Sequence, residues 1–159
     1  MKLQVVASSR HTVTAVVAEG SAFWVLTIVY ANPSVAIRRH LLNYLSAIRD
    51  CFKGLWVVMG DFNEITYNME KRGGRDCFSK TGFVDWISEN KLVDLGFIGQ
   101  TFTWMARRGI SEAIWKRLDR ALYFMKWRVR FAEGYVRYLP RTISDHCPIM
   151  LCPHSIHIP

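Results

Sequence analysis

Cysteine and proline are scarce, with four and five in 159 residues. The cysteines, Cys51, Cys77, Cys147 and Cys152, have neither the paired short spacings of a zinc ribbon nor the density of a disulfide framework, which points to reduced thiols. Long hydrophobic runs are also missing. The longest, Ala22 to Ala31, is ten residues of largely β-branched and aromatic type, against the roughly 20 that a membrane-spanning helix needs. No small-residue cleavage site follows the early lysine, so neither a secretory leader nor a lipid anchor is expected. These absences imply an intracellular protein with no membrane partner, and the basic charge described next favours the nucleus. Acidic residues are outnumbered, 13 to 21, for a net charge of +8. Ten basic and three acidic residues fall between Trp104 and Arg141, so that segment carries seven of the eight charges and suits a polyanionic partner.

What is present is the material of one folded domain, 50% hydrophobic and 21% charged. Period-2 or continuous apolar runs predict buried strands at Leu3 to Ala7, Thr12 to Ala18, Phe23 to Tyr30 and Leu55 to Met59. A helical stripe from Val35 to Phe52 follows Ser34, a residue suited to capping, and Gly54 stops it. A second helix is expected over Ser79 to Asn90, and short strands over Leu92 to Leu95 and Thr101 to Trp104. The polar stretch Asn68 to Lys80 reads as an exposed loop offering Arg72 and Arg75. Arg107 and Arg108 precede Gly109 in a second polar loop suited to phosphate contacts. Further on, a strand is expected over Trp115 to Ala121, a helix over Phe124 to Phe131, and strands over Tyr135 to Leu139 and Pro148 to Cys152. Residues 1–152 read as one domain and 153–159 as a tail.

Three polar groups interrupt these strands where strands should end: Gly60-Asp61-Phe62-Asn63, Arg117-Leu118-Asp119 and Ser144-Asp145-His146. Each places a carboxylate at a strand terminus, where a sheet fixes position and a loop leaves access. An anionic phosphodiester needs a cation or imidazolium at its non-bridging oxygens and a carboxylate for the attacking water, so these residue types suit phosphoester chemistry.

In order and spacing, WVVMGDFN (Trp56 to Asn63), WKRLDRAL (Trp115 to Leu122) and SDHCPI (Ser144 to Ile149) resemble the endonuclease/exonuclease/phosphatase superfamily. IVYANP (Ile28 to Pro33) and QTFTWMARRG (Gln100 to Gly109) resemble its branch of plant non-LTR, LINE-type retrotransposon endonucleases. The resemblance implies a DNase I-like α/β fold, a four-layer α/β/β/α sandwich, with Mg²⁺- or Mn²⁺-dependent hydrolysis of DNA and no small-molecule cofactor. It implies that Asp61 activates water, Asn63 holds it, Asp145 binds metal, His146 contacts the scissile phosphate and Asp119 braces His146. Tyr30 and Asn32 would line the phosphate pocket.

The family's opening strands, one ending in Asn and one in a metal-binding Glu, have no counterpart here. The chain therefore reads as an N-terminally truncated domain with an open sheet edge that invites self-association. Two other readings follow: an impaired remnant that binds nucleic acid through its basic face, or a phosphoesterase acting on a small ester or phosphoinositide.

Overall fold

The computed structural model describes residues 1–52, 54–74, 82–106 and 113–154. Its centre is a six-stranded mixed sheet, built from β1 (Lys2–Ser8), β2 (Thr12–Glu19), β3 (Ala22–Tyr30), β4 (Trp56–Asp61), β9 (Asp119–Phe124) and β6 (Leu92–Asp94) in that spatial order. β3 and β4 run parallel, joined by the crossover helix α1 (Val35–Cys51), and the other pairings are antiparallel. Three further strands, β5 (Lys71–Arg72), β8 (Ile114–Lys116) and β7 (Trp104–Ala106), form a second sheet, and β10 (Tyr135–Tyr138) pairs with β11 (Ile149–Cys152). Two short helices, α2 (Phe83–Glu89) and α3 (Met125–Arg130), complete the described elements.

The alternation of side chains across β4 explains the layering. Trp56 and Val58 face α1 and α2, where they meet Leu41, Leu45, Ile48, Phe83 and Trp86. Val57 and Met59 face the opposite way, into a second core with Trp24, Trp127, Phe131, Val136 and Tyr138. A strand covered on both faces needs no polar alternation, which is why Leu55 to Met59 reads as a continuous apolar run. Along α1, Leu41, Leu45 and Ile48 recur at helical spacing and are its buried apolar stripe. Ser34 has extended N-cap dihedrals, but its side chain makes no capping bond; its amide instead donates to Asn32 Oδ1.

Several expectations require correction. The strand at Lys2–Ser8 exists but is exposed along its whole length, because it pairs only with β2 at the edge of the sheet. Leu3, Val5, Val13, Phe23 and Ile28 lie exposed around it. The stretch Trp115 to Ala121 is two strands in different sheets, broken at Arg117 and Leu118. Thr103 causes the break: its hydroxyl oxygen accepts the amides of Leu118 and Asp119 at 2.9 and 3.0 Å. Strand β7 accordingly starts at Trp104 rather than at Thr101. Helix α2 begins after Gly82, and Ser79 to Thr81 lie outside the described residues.

The region Asn68 to Lys80 is not simply an exposed loop. Asn68–Glu70 is a 3₁₀ turn, Lys71 and Arg72 pair with Lys116 and Trp115, and Glu70 is buried. Arg117 Nη1 donates to Glu70 Oε1 at 2.7 Å and Arg120 Nη2 to Glu70 Oε2 at 2.9 Å. Both arginines also reach Asp94, at 2.8 and 3.3 Å. Arg117 and Arg120, two of the ten cations in the basic segment, therefore belong to the interior and not to a nucleic-acid face. Burial alone would push the Glu70 carboxyl up, but the charge and hydrogen bond of Arg120, with the Thr66 amide and Arg117, hold it down to about 2.

Because this pKa lies below the ordinary 4.5, the stabilisation is complete above pH 4.5 and is lost as pH falls towards 2. Glu70→Gln leaves two buried guanidinium groups short of a counter-charge, and the expected cost is about 3–5 kcal/mol in urea unfolding at pH 7. The penalty should shrink in acid, where the native carboxyl is itself protonated.

Candidate active site

Glycine at position 60 lets the site approach its neighbour. Its φ is +132°, and a Cβ there would lie 2.1 Å from the Val29 carbonyl oxygen across the β3–β4 pairing. Beyond it, register does the assembly. Tyr30 pairs with Asp61, and Asp61 with Asp119, so one residue from each of β3, β4 and β9 falls in a row. Strand parity puts Asp61 on the face of Val57 and Met59, and Asp119 on the face of Ala121 and Tyr123. Two carboxylates directly opposite across an antiparallel pair repel.

His146 relieves that repulsion. Its Nδ1 donates to Asp119 Oδ2 at 2.8 Å, and its Nε2 stands 3.9 Å from Asp61 Oδ2, a gap too long for a hydrogen bond. The histidine is carried by a segment docked on β7. The Cys147 amide donates to the Thr103 carbonyl at 2.8 Å, the Met105 amide donates to the Asp145 carbonyl at 3.0 Å, and Trp104 bridges to His146. The Trp104 indole donates to Asp145 Oδ2 at 2.9 Å. Asn63, at a left-handed φ of +52°, donates its amide to Asp61 Oδ1 at 2.7 Å and its Nδ2 to Asp61 Oδ2 and the Ala31 carbonyl.

An open cleft of about 490 Å³ results, lined by Val29, Tyr30, Gly60, Asp61, Asp119, Ser144, Asp145 and His146. Of the expected site residues, Tyr30, Asp61, Asp119, Asp145 and His146 meet at this cleft, with Asn63 bound to Asp61. Asn32 is not among the lining residues, since its side chain is turned to the Ser34 amide. Arg72 sits outside the cleft, on β5, with its guanidinium 5.3 Å from the Trp115 ring and 5.6 Å from Phe102. Arg75, Arg107 and Arg108 lie outside the described residues. Sequence reasoning did not single out His11, whose Nδ1 meets the Tyr30 carbonyl at 3.0 Å, although His11 does not itself line the cleft. No local pattern marks it, because only the β2–β3 pairing brings it there.

Burial pushes the Asp61 carboxyl up to about 6; the Asn63 amide, His146 and Arg38 pull the other way and Asp119 adds to the rise. The hydrogen bond to Asp119 raises His146 above its ordinary 6.5 against the opposing effect of burial, with Asp61 and Asp145 adding to the rise. Asp61, Asp119 and His146 bring one ligand atom each within 4.8 Å of one another. The hydrogen bond to Asp119 and the neighbouring carboxylates favour the protonated form of His146. The donors that suit a hard divalent ion are the carboxylate oxygens of Asp61 and Asp145, so the cleft fits such an ion by ligand type. Among the described residues no glutamate lines it: Glu64 is bound to Arg38, Glu70 to Arg117 and Arg120, and Glu19 to His154.

The order of motifs and this geometry agree with the sequence comparison. The chain belongs to the endonuclease/exonuclease/phosphatase family, whose model matches residues 5–146. No curated protein matches it by sequence. Among solved structures, the endonuclease domain of TRAS1, a telomere-specific non-LTR retrotransposon, superimposes with a TM-score of 0.70 and 17% identity, covering 92% of this chain and 67% of that one. Sphingomyelinase C from Streptomyces griseocarneus gives 0.56 and 13%, covering 90% and 55%. D. rerio TDP2, complexed with a single-strand DNA product, gives 0.56 and 12%, covering 95% and 66%. The chain thus spans about half to two thirds of the length of these structures. Identities this low establish the DNase I-like fold alone. No helix among the described residues is long and apolar enough to cross a membrane.

The two raised pKa values have the same sign in folding. A group held above its unfolded value stabilises the native state below that value and loses the contribution as pH rises through the folded one. Asp61 therefore contributes in acid and ceases to do so through about pH 6, and His146 follows at higher pH. In an NMR titration, His146 should titrate above 6.5, and Asp119→Asn should bring it down; an unmoved midpoint in that variant would refute the brace.

Proposed function

We propose that this chain carries the site of a divalent-metal-dependent phosphodiesterase acting on DNA, of the retrotransposon endonuclease type. The observation that carries this reading is the in-register row Tyr30, Asp61, Asp119, closed by an imidazole set between the two carboxylates. Asp61, with its pKa near 6, is ionised at neutral pH yet basic enough to take a proton from water, the range that suits a general base. Asn63 holds that carboxylate in place and presents its own amide beside it. Asp119 fixes the His146 ring through Nδ1, which leaves Nε2–H directed at the gap before Asp61. A phosphate in that gap would receive the imidazolium's hydrogen bond on an oxygen that gains charge as the bond to the attacking water forms. Tyr30, exposed on the same row, offers a hydroxyl to the same group.

Mg²⁺ or Mn²⁺, held by Asp145, would supply Lewis acidity at the phosphate and lower the pKa of a bound water. Asp145 keeps one carboxylate oxygen for this purpose while Trp104 holds the other. For the nucleic acid beyond the scissile bond, support comes from Arg72 and Arg141, whose guanidinium groups lie 5.3 and 5.2 Å from the Trp115 ring. Stacked cations and a half-buried indole suit a polynucleotide backbone better than a single small phosphate. Arg75, Arg107 and Arg108 are further candidates for phosphate contacts by residue type.

Supercoiled plasmid with Mg²⁺ tests the reading, with EDTA and the variants Asp61→Ala and His146→Ala alongside. Nicking should require the metal and fall by about 10²–10⁴-fold in each variant. A folded protein that binds DNA without cutting it would instead be an impaired, nucleic-acid-binding remnant. Hydrolysis of a phosphoinositide but not of DNA would move the substrate to the lipid class.

A further inference from the structure

The turn that presents Asp61 is strained. Asn63 sits in the left-handed region, which an asparagine tolerates at a cost that neighbouring contacts must offset. The next residue, Glu64, is gripped at both ends. Its carboxylate Oε2 accepts from Arg38 Nη2 at 2.7 Å, and its carbonyl accepts from Arg120 Nη2 at 3.1 Å. The other terminal nitrogen of Arg38, Nη1, donates to the carbonyls of Asn32, at 3.2 Å, and Pro33. One guanidinium therefore ties the loop after β3 to the turn after β4. Arg38 and Glu64 side chains are only 10% and 12% exposed, so the pair is shielded from the screening that weakens surface ion pairs. Arg38 occupies the position on α1 that continues the stripe of Leu41, Leu45 and Ile48, where an apolar residue would serve packing alone.

We infer that the Arg38–Glu64 pair is a positioning clamp, which holds the Asp61-Phe62-Asn63 turn in register with the Tyr30 loop across the head of the cleft. Neither residue lines the cleft, so they act through Asn63 and Asp61 and not on substrate. The inference rests on the proposed hydrolytic role of Asp61 for its consequence in catalysis, but its structural part can be read without any activity.

The reporter is the Asn63 amide, which donates to Asp61 Oδ1. Hydrogen exchange of that amide is measured by NMR in the full chain, in the wild type, Arg38→Met, Arg38→Lys and Glu64→Gln. With the clamp released, local opening should speed Asn63 exchange in Arg38→Met by about tenfold or more beyond any change at the Val57 and Val58 amides, which report the loss of global stability that breaking a buried pair brings. Arg38→Lys, which keeps a donor to Glu64, should recover part of the protection. In DNA nicking, kcat should fall by about tenfold with KM unchanged, and the lysine variant should recover part of it. Should Arg38→Met fail to fold, Glu64→Gln makes the same comparison, since it keeps shape and removes the carboxylate charge. Asn63 exchange that changes no more than that of Val57 and Val58 in a folded Arg38→Met or Glu64→Gln protein overturns the clamp. Faster exchange in a protein whose wild type never cuts DNA leaves the clamp standing and sinks the hydrolytic reading.

Discussion

The antiparallel pairing of β4 with β9 is the constraint on which the cleft and much of the interior depend. Its register sets Asp61 opposite Asp119, and the alternation of β9 sends Arg120 through to the other side of the sheet. One strand thus serves two electrostatic systems. On one face a carboxylate waits for an imidazole, and on the other a fully buried guanidinium gathers Glu70, Asp94 and the Glu64 carbonyl. A slip of one residue would exchange the two faces, exposing the core's cation to the cleft and burying a lone carboxylate.

The two systems differ in what they do to their acids. Glu70 sits among guanidinium groups that outweigh its desolvation, so it stays ionised far into acid. Asp61 is buried with weaker compensation, and its proton affinity rises instead. The first arrangement stabilises the fold; the second retains a basic carboxylate at a cost in stability near neutral pH. Because Asp119 and Arg120 are adjacent on β9, a stable network supports a strained one, and the tie from Arg120 to the Glu64 carbonyl is the physical link between them.

The face around β1 contrasts with this interior. Leu3, Val5, Val13 and Ile28 are exposed there, next to the strand that ends in Tyr30. The main sheet is well covered where α1, α2 and α3 lie and sparsely covered at this side. The fold's densest packing accordingly lies on β3, β4 and β9, the strands that carry the row of site residues.

Much of this was legible in the chain alone. Apolar periodicity located β2, β3, β4, α1, α3, β10 and β11, because burial on one face or both leaves a period that composition preserves. The carboxylates at strand ends and the Asp-His pair were legible as residue types suited to phosphoester chemistry. Periodicity could not reveal that Arg117 and Arg120 are interior, since charge alone does not tell a solvated face from a buried pair. It could not split Trp115 to Ala121 either, as a threonine hydroxyl twelve or more residues away supplies the break. Thus the sequence by itself determined the strands, the crossover helix and the chemical groups available. Only the tertiary structure decided which carboxylates face each other, which are neutralised by arginine, and which one keeps a raised proton affinity. Those outcomes depend on register and burial between segments far apart in the chain, and no local pattern encodes them.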